Sequence, residues 1–337
     1  MRDVDAVVVG GGPAGLSAAI TLAKAGRSVM VLEKSKDAPG GPGETFHPGI
    51  EAIFDQLGIG DAMRADASAR HLAVIVERAG HREIVAYENG WRGFQIRRRR
   101  LIRHLARRLE NVGGEISRGN SARKLDQTLD RNIVETEDGS FRSRWLIDAS
   151  GMAGWLDRRR ATSMQIVSEP IWLRYGYDAT TVSDGTLPRL RIDDGRWIWR
   201  APLGDGETAW VTCRQGQPFI DRMPDGARGA DGTWCLSRQP AGSGYFRVGD
   251  AACRLDPSNG HGVLRAMMSA IMAAHLAIQS DSGLLDRERA AQIYDGWIRY
   301  WFAADARQLA KHFPNVLSGA TQHDNQPLVS PEVLEPA

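Results

Sequence analysis

The sequence is poor in the residues that build disulfide frameworks and metal clusters. Its 337 residues contain three cysteines, Cys213, Cys235 and Cys253, and their wide spacing fits neither kind of site. No apolar run reaches the roughly 18–20 residues that span a bilayer. Met1-Arg2-Asp3 leads directly into an apolar strand, without the pattern of a signal peptide. These absences predict a cytoplasmic protein with no membrane span and no metal.

A large excess of charge of one sign is also missing, because the formal net charge is +2. The run Arg97-Arg98-Arg99-Arg100 is of the kind found in nucleic-acid patches. It continues into Leu101, Ile102, Leu105 and Leu109 at helical spacing, so we interpret it as the solvated face of an amphipathic helix. The sequence therefore predicts no nucleic-acid partner.

The N-terminus carries a dinucleotide-binding pattern. The apolar run Asp5–Val9 predicts a buried parallel strand, and a segment of helical period and a second strand follow it. In the intervening turn, Gly10 makes the tight bend, Gly12 lets the backbone approach a diphosphate, and Gly15 lets helix and strand pack closely. Glu33, after the second strand, is expected to accept hydrogen bonds from a ribose. The candidate diphosphate ligands at this helix start are Gly10, Gly12, Pro13, Ala14 and Gly15.

Two later segments favour FAD over NAD as the dinucleotide. Trp145–Gly151 and Tyr245–Ala252 are apolar strands that end in small-residue turns. Gly249-Asp250 alone would be an ordinary surface turn, but in register with the other motifs it can place Asp250 on a ribityl hydroxyl. The helix that begins at Gly262-Val263 would direct its N-terminus at the electron-rich end of an isoalloxazine ring. The expected cofactor is FAD.

Together these motifs resemble the superfamily of FAD-dependent monooxygenases and flavin-dependent halogenases, which has the glutathione-reductase-type (GR2) FAD fold. The resemblance implies an α/β fold, with a Rossmann-like FAD-binding domain and an inserted, mostly antiparallel β-sheet substrate domain. It also implies further FAD contacts at the positions that match the superfamily: Lys34, Gln95, Arg98, Ala122, Ser150 and Gly151.

Short β-rich stretches separated by Gly, Asp and Pro turns fill the second half of the chain, and residues 72–87 are expected to add two strands to the same sheet. The final helices are expected to close the cavity mouth or the junction between the two lobes. We expect a discontinuous FAD-binding domain at 1–70, 95–162 and 240–285, a substrate domain at 71–94 and 163–239, C-terminal helices at 286–316 and a flexible tail at 317–337.

The hexapeptide Trp-Ile-Trp-Arg-Ala-Pro at 197–202 matches the signature by which flavin-dependent halogenases are recognised. In a strand, the indoles of Trp197 and Trp199 point to the same side, where they either pack in the core or form a wall of the substrate cavity. The stretch 40–59 resembles that family's strap between flavin and substrate, and Gly43-Glu44 and His47 are its marked positions.

Three departures argue against halogenation. Tryptophan-type halogenases need a lysine beyond the strap, but residues 70–95 contain none. The chain's lysines are Lys24, Lys34, Lys36, Lys124 and Lys311. The family's acidic residue corresponds to Asn259 and its halide-binding hydroxyl residue to His261. Without an ammonium to hold an oxidised halide and a carboxylate to take the ring proton, the signature is present but the halogenating groups are not.

Three other segments resemble flavoproteins that oxygenate a tryptophan within a partner polypeptide during quinone-cofactor formation. They are residues 43–59, residues 244–270 and the hairpin around Trp197–Pro202. This resemblance implies an FAD-dependent monooxygenase that acts through a C4a-hydroperoxide on an electron-rich aromatic substrate, either a small molecule or a peptide. His261, His47 and Glu44 are the acid–base candidates, and Trp197 and Trp199 are the substrate-binding candidates.

The electron donor is expected to be a separate partner. Single-component hydroxylases have an Asp-Gly pair after the middle FAD strand that helps to bind NAD(P)H, whereas this chain has Asp148-Ala149-Ser150-Gly151. A separate flavin reductase or free reduced flavin is therefore favoured. Three alternatives stay open: a halogenase with another residue in place of the lysine, a geranylgeranyl-reductase-like enzyme with an apolar tunnel beside Trp197, and a flavin-binding module without turnover.

Overall fold

The computed structural model of the protein describes most of the chain. The described residues are 1–37, 41, 43–67, 69–128, 130–179, 185, 187–193, 195–203 and 206–311, with Asn259 described by its backbone alone. The expected tail at 317–337 lies outside these residues, as does the end of the expected helical segment 286–316.

Seven α-helices lie in the described part of the chain. They are α1 (Pro13–Lys24), α2 (Ile50–Leu57), α3 (Gly60–Asp66), α4 (Arg98–Asn111), α5 (Trp155–Arg160), α6 (Gly262–Asp281) and α7 (Arg287–Ala310). Short 3₁₀ turns occur at Glu88–Gly90, Gly151–Ala153, Gly249–Ala251 and Pro257–Asn259. The helix predicted after the arginine run is α4, and its buried face contains Leu101, Ile102, Leu105, Ala106 and Leu109.

The strands of the described residues are short, and most connect through glycine-containing turns. In chain order they are β1 (Arg2–Val9), β2 (Val29–Glu33), β3 (Gly43–Phe46), β4 (Ala69–His71), β5 (Ala73–Arg78), β6 (His81–Ala86), β7 (Gly93–Arg97), β8 (Glu115–Arg118), β9 (Lys124–Gln127), β10 (Asn132–Glu135), β11 (Ser140–Asp148), β12 (Met164–Ile166), β13 (Ile171–Asp178), β14 (Arg189–Asp193), β15 (Arg196–Pro202), β16 (Thr208–Gln215), β17 (Arg228–Asp231), β18 (Cys235–Ser237), β19 (Ala241–Gly242), β20 (Tyr245–Arg247) and β21 (Cys253–Arg254).

The dinucleotide motif lies at the centre of a mixed sheet with the order β19-β20-β11-β1-β2-β8. The pairs β1–β11, β1–β2, β2–β8 and β11–β20 are parallel, and β9 and β10 extend β11 as an antiparallel meander. Val29–Glu33 is buried along its whole length, as expected of a parallel strand covered on both faces. The carboxyl ends of these strands therefore meet at one edge, the place where open α/β sheets bind ligands.

The inserted sheet has seven strands in the order β17-β13-β16-β15-β14-β5-β6. All neighbours pair antiparallel except β14 and β5, and β5 and β6 are the two strands expected from residues 72–87. Met164–Ile166 was expected in this sheet, but it pairs with β18 in a separate three-stranded sheet with β21. A three-residue strand carries too little pattern to specify its partner.

Two indole N–H groups of β15 join the inserted sheet to the FAD-binding part of the molecule. Trp197 Nε1 donates to Asp256 Oδ2 at 3.0 Å, and Trp199 Nε1 donates to Thr45 Oγ1 of β3 at 3.0 Å. Trp197 is 1% exposed, which favours core packing over a cavity wall for this indole. The tryptophan signature therefore positions the strap and the turn before α6.

Helix α6 is long and apolar enough to cross a membrane by length and composition alone. Its apolar residues do not form a continuous run, because Arg265, Ser269 and His275 interrupt them. Half of an 18-residue apolar stretch of α6 is buried inside the molecule, and α6 packs between α1 and α7. It is the core helix of the FAD-binding part.

Replacing Trp197 with Phe should destabilise the protein. The change keeps most of the ring but removes one donor from the buried Asp256 carboxylate, at a cost of about 1–3 kcal/mol. Urea unfolding measures the difference, with Trp172→Phe as the control because Trp172 is 44% exposed. Equal unfolding midpoints for the two variants would contradict the anchoring role.

Candidate functional site

The glycine turn after β1 has the geometry of a diphosphate cradle. Gly10 has φ of +110°, and a Cβ there would lie 2.3 Å from the carbonyl oxygen of Ala149. A Cβ at Gly15 would lie 1.9 Å from the carbonyl oxygen of Gly10, so helix and turn are in direct contact. A Cβ at Gly12 would meet nothing within 4 Å, which leaves open space above the start of α1. Pro13 occupies the first turn of α1, and no side chain caps this end.

Glu33, Lys34 and Ala122 are the residues predicted to contact the adenosine end of the dinucleotide. Glu33 Oε2 accepts from Gly11 N at 2.7 Å, and Oε1 accepts from Ser35 N at 2.8 Å. The carboxylate thus holds the glycine turn and retains lone pairs for a ribose. Lys34 is exposed, and the Ala122 carbonyl accepts from Trp155 Nε1 at 2.7 Å. Roles for these residues toward a cofactor stay predictions.

The turns after β11 and β20 approach the glycine turn from the other side. A Cβ at Gly249 would lie 3.1 Å from Ala14 Cβ, which places the start of α1 beside this turn. Ser150 donates its N–H to Asp148, and its hydroxyl accepts from Trp155 N, so Gly151 follows in a fixed turn. Asp250 has an exposed side chain that lines a cavity. Burial raises the pKa of its carboxyl, although Arg98 and Arg254 act to lower it.

Gln95 lies beside the strap, in β7, which pairs with β3, and Arg98 begins α4. Gln95 is 0% exposed, and within the described residues both of its side-chain amide atoms lack a hydrogen-bond partner. Arg98 pairs with Glu44 of β3. Burial acts to lower the pKa of Arg98, but the neighbouring Glu44 and Asp250 raise it above its ordinary value. The arginine run is therefore not a uniformly solvated face, since its second member turns inward to this strap.

The start of α6 presents backbone N–H groups beside an imidazole. Gly262 is exposed, Val263 is buried, and no side chain caps this end of the helix. His261 is the residue before Gly262 and its ring lies 5.5 Å from the His47 ring, measured between centroids. The two histidines that the sequence selected as acid–base candidates are therefore in contact.

Three further side chains complete this group, and the sequence did not reveal them. His71 Nε2 lies 3.1 Å from the Tyr87 hydroxyl, and the His47 ring lies 5.4 Å from Tyr87 and 6.3 Å from Trp91. They come from β4 and from the segment after β6, and no spacing pattern joins them to the strap. We name His47, His71, Tyr87, Trp91 and His261 the imidazole cluster. Within the described part of the chain, no group of three or more metal-ligating side chains occurs.

Burial keeps the imidazole cluster uncharged near neutral pH. It lowers the pKa of His47 and of His261 below the ordinary value, and it lowers the pKa of His71 to about 4 with a contribution from His47. It raises the pKa of Tyr87 to about 12. His47 Nδ1 accepts from Gly49 N at 3.2 Å, so the neutral ring carries its proton on Nε2.

A cavity of about 60 Å³ lies between the turn at Gly249–Asp250 and helices α6 and α7. Its aromatic wall comes from Trp297, Trp301 and Phe302, and His261 lies at its edge. Arg265 forms a two-point ion pair with Asp305 at 2.6 and 2.8 Å and stacks on the Trp301 ring. Helix α7 therefore lines a cavity beside the cofactor turn. Trp197 does not line it.

None of the five lysines belongs to the imidazole cluster or lines the cavity beside it. Lys24 donates to the Gln56 carbonyl, Lys124 pairs with Glu135, and Lys311 donates to Gln308. Lys34 and Lys36 are exposed in the turn after β2. The side chain of Asn259 lies outside the described residues.

The residues present fit FAD. Among the described residues the Gln95 amide is buried without a hydrogen-bond partner, the space above Gly12 is open, and the exposed Asp250 side chain lines a cavity. Unpaired polar groups and open space at a helix start are expected of a site that takes a polar ligand. Glycine-turn amides would hold the diphosphate, Asp250 and Gln95 the ribityl chain, and the α6 start the pyrimidine end of the ring.

A family model described as FAD binding domain matches residues 3–183. The chain is 26% identical to a tryptophan 2-halogenase of Chondromyces crocatus, covering 86% of this chain but 63% of that protein's length. It is 29% identical to a menaquinone reductase of Mycobacterium tuberculosis, covering 93% of this chain and 85% of the relative.

Solved structures show the same fold at lower identity. A flavin-dependent brominase superposes with a TM-score of 0.80 at 20% identity, covering 93% of this chain and 88% of that one. The p-nitrophenol 4-monooxygenase of Pseudomonas putida superposes with a TM-score of 0.80 at 19% identity, covering 96% and 91%. These matches confirm the expected α/β FAD-binding fold and the FAD cofactor.

Gly12→Ala should separate folding from cofactor binding. A methyl group fits the FAD-free fold without a clash but occupies the approach of the diphosphate, so affinity for FAD should fall by about tenfold or more, which is ~1.4 kcal/mol. Quenching of flavin fluorescence during titration measures this change, and the melting temperature without FAD should stay constant. Gly229→Ala in β17 is the control, and equal FAD affinity in both variants would refute the cradle.

Proposed function

The chain belongs to the FAD-binding domain family, and we propose that within it the protein is a monooxygenase for an electron-rich aromatic substrate of the indole or tryptophan type. The family makes it a flavin-dependent oxidoreductase with FAD as cofactor. The finer proposal rests on the imidazole cluster at the start of α6, where two neutral histidines are in contact beside the expected flavin ring. An ammonium group at that position, as halogenation needs, is lacking in the described part of the chain.

When bound and reduced, FAD would activate O₂, so that one oxygen atom of O₂ could pass to the substrate and the other could leave as water. The chain's own residues must orient the substrate, exclude water and move protons. His47 carries its proton on Nε2 and is the donor of the pair, and His261 is the neutral base that takes the ring proton. The pair suits this exchange because burial keeps both imidazoles uncharged at neutral pH.

Glu44 has a positioning role in this proposal. Its carboxylate forms an ion pair with Arg98. This pair fixes the strap beside Gln95, since Thr45 of β3 pairs with Gln95 of β7. The aromatic wall formed by Trp297, Trp301 and Phe302 supplies an apolar surface beside His261 that keeps water from the reacting groups. Trp199 stays a candidate contact for the substrate, because its indole is partly exposed and hydrogen-bonded to Thr45 of the strap.

Electrons come from a separate flavin reductase or from free reduced flavin in this proposal. Asp148, in the segment that replaces the Asp-Gly pair, is 1% exposed and accepts the N–H groups of Ser150 and Leu156. A carboxylate held in this way stabilises the turn and does not reach a second nucleotide. The substrate is either a free aromatic molecule or a peptide that carries the ring.

A reductase of isoprenoid chains is the second candidate, favoured by the likeness to the menaquinone reductase and by 25% identity to a digeranylgeranylglycerophospholipid reductase of Methanopyrus kandleri. Such an enzyme would have an apolar tunnel beside Trp197. The Trp197 indole is 1% exposed and bonded to Asp256, which favours the oxygenase.

Product analysis should distinguish oxygenation from halogenation. Protein loaded with FAD, reduced anaerobically and mixed with O₂ and either indole, tryptophan or a tryptophan-containing peptide should yield a product heavier by one oxygen atom. Bromide should leave that product unchanged. Mass spectrometry provides the readout, and a brominated ring as the main product would overturn the proposal.

His261→Ala should uncouple flavin oxidation from product formation. General acid–base groups contribute about 10²–10⁴-fold to rate, so product per reduced flavin should fall by about 100-fold while hydrogen peroxide rises. His275→Ala is the control, since His275 is exposed on the same helix. In the wild type, yield should be flat above the ordinary histidine pKa of about 6.5 and fall only at lower pH, as lowered pKa values keep the pair neutral. Equal yields from both alanine variants would exclude His261.

A further inference from the structure

A second cavity, of about 370 Å³, lies at the start of α4 beside Gly41 of the strap. Four arginines line it together with Gly41 and Tyr177: Arg97, Arg99, Arg100 and Arg103. The Tyr177 hydroxyl donates to the Gly41 carbonyl at 2.7 Å, and the Arg97 guanidinium lies 5.2 Å from the centre of the Tyr177 ring. Its lining contains no residue of the glycine turn, so it is separate from the FAD cradle.

The positive charge of this cavity is only partly balanced. Arg97 pairs with Glu207, and Arg100 pairs with Asp66 at 2.8 Å, but Asp66 also contacts His104. Arg99 and Arg103 are exposed and have no acidic partner among the residues that the structure describes. Their spacing of four residues places both guanidinium groups on the same face of α4.

This arrangement costs stability in the free protein. Like charges repel within a confined space, and the first turn of a helix favours acidic residues, whereas that of α4 has none and begins with three arginines. Unfavourable charge in the first turn of a helix, with no contact in the fold that offsets it, is expected at a binding site. Planar guanidinium groups match the oxygen geometry of phosphate with two parallel hydrogen bonds.

We propose that this cavity binds a small molecule that carries phosphate groups. Its volume lies within the range of about 300–1,000 Å³ that is typical of small-molecule sites, so it can take a body of nucleotide size in addition to the phosphate. The Tyr177 ring offers an aromatic face beside the guanidinium groups. Arg99 and Arg103 provide the charge that the ligand neutralises, and Arg97 and Arg100 are oriented by their acidic partners.

Two sources share this chemistry. One is a nicotinamide dinucleotide phosphate, which would replace the separate reductase as the electron source: it would give a hydride to the flavin, and with one proton from solvent the nicotinamide is oxidised and the flavin is reduced by two electrons. The other is a phosphorylated substrate or cosubstrate that leaves the flavin oxidised and leaves the separate reductase as the electron source. Gly41 lines the cavity and lies against Arg98, whose partner Glu44 belongs to the strap, so the cavity adjoins the strap.

The test compares binding of inorganic pyrophosphate and of adenosine 2′,5′-bisphosphate to the FAD-loaded protein by titration calorimetry. Arg99→Ala combined with Arg103→Ala should weaken binding by at least about tenfold, since each lost charged hydrogen bond has a sizeable cost. Arg107→Ala on the next turn of α4 is the control for charge, because Arg107 is exposed and outside the cavity. All variants should bind FAD and melt as the wild type does.

Binding that the double variant loses and Arg107→Ala retains supports the site. No binding at millimolar ligand, or equal loss with Arg107→Ala, overturns it. Bleaching of the bound flavin by NADPH in an arginine-dependent manner identifies the nicotinamide source, and arginine-dependent binding without bleaching identifies the phosphorylated substrate. Neither result depends on product formation by the enzyme, so the aromatic oxygenase proposal can fail while this site stands.

Discussion

The close contact between the glycine turn after β1 and the turn after β11 is the constraint on which the rest of the molecule depends. A side chain at Gly10 would overlap the carbonyl of Ala149, and one at Gly15 would overlap Gly10 itself. Because both positions lack a Cβ, the carboxyl ends of the parallel strands come together and α1 begins directly above them. Gly249 then fits against Ala14, and Asp250, His261 and Gly262 line one cavity beside this turn. This packing brings together the residues expected to hold FAD.

The tryptophan signature has a structural role in this fold. Trp197 and Trp199 use their indole N–H groups to tie the inserted sheet to Asp256 and to Thr45. Burial raises the pKa of Asp256 above its ordinary value, and the hydrogen bonds from Ser258, Trp197 and Cys213 act against that rise. Asp256 also caps the 3₁₀ turn that leads to His261. The signature thus fixes the geometry around the flavin, a requirement common to oxygenation and halogenation, and it does not by itself select the reaction.

Features that depend on residues close together in the sequence could be predicted. They are the glycine turn, the order of the FAD segments and the two added strands of the inserted sheet. Gly10, Gly12 and Gly15 have fixed spacing, and β5 and β6 form a hairpin with its own turn. His71, Tyr87 and Trp91 were not predictable, since only the pairing of β4 with β7 and the path after β6 bring them to His47. The arginine run was interpreted as solvent-facing because a helical pattern identifies the buried side of a helix but not what lies opposite it.

A crystal structure of the protein with FAD bound tests the central claim most directly. We expect the diphosphate at the backbone N–H groups of the first turn of α1 and the isoalloxazine ring at Gly262–Val263. We also expect the reactive edge of that ring to face His261 and His47. A diphosphate bound away from the glycine turn, or a ring whose reactive edge faces away from the imidazole cluster, would contradict it.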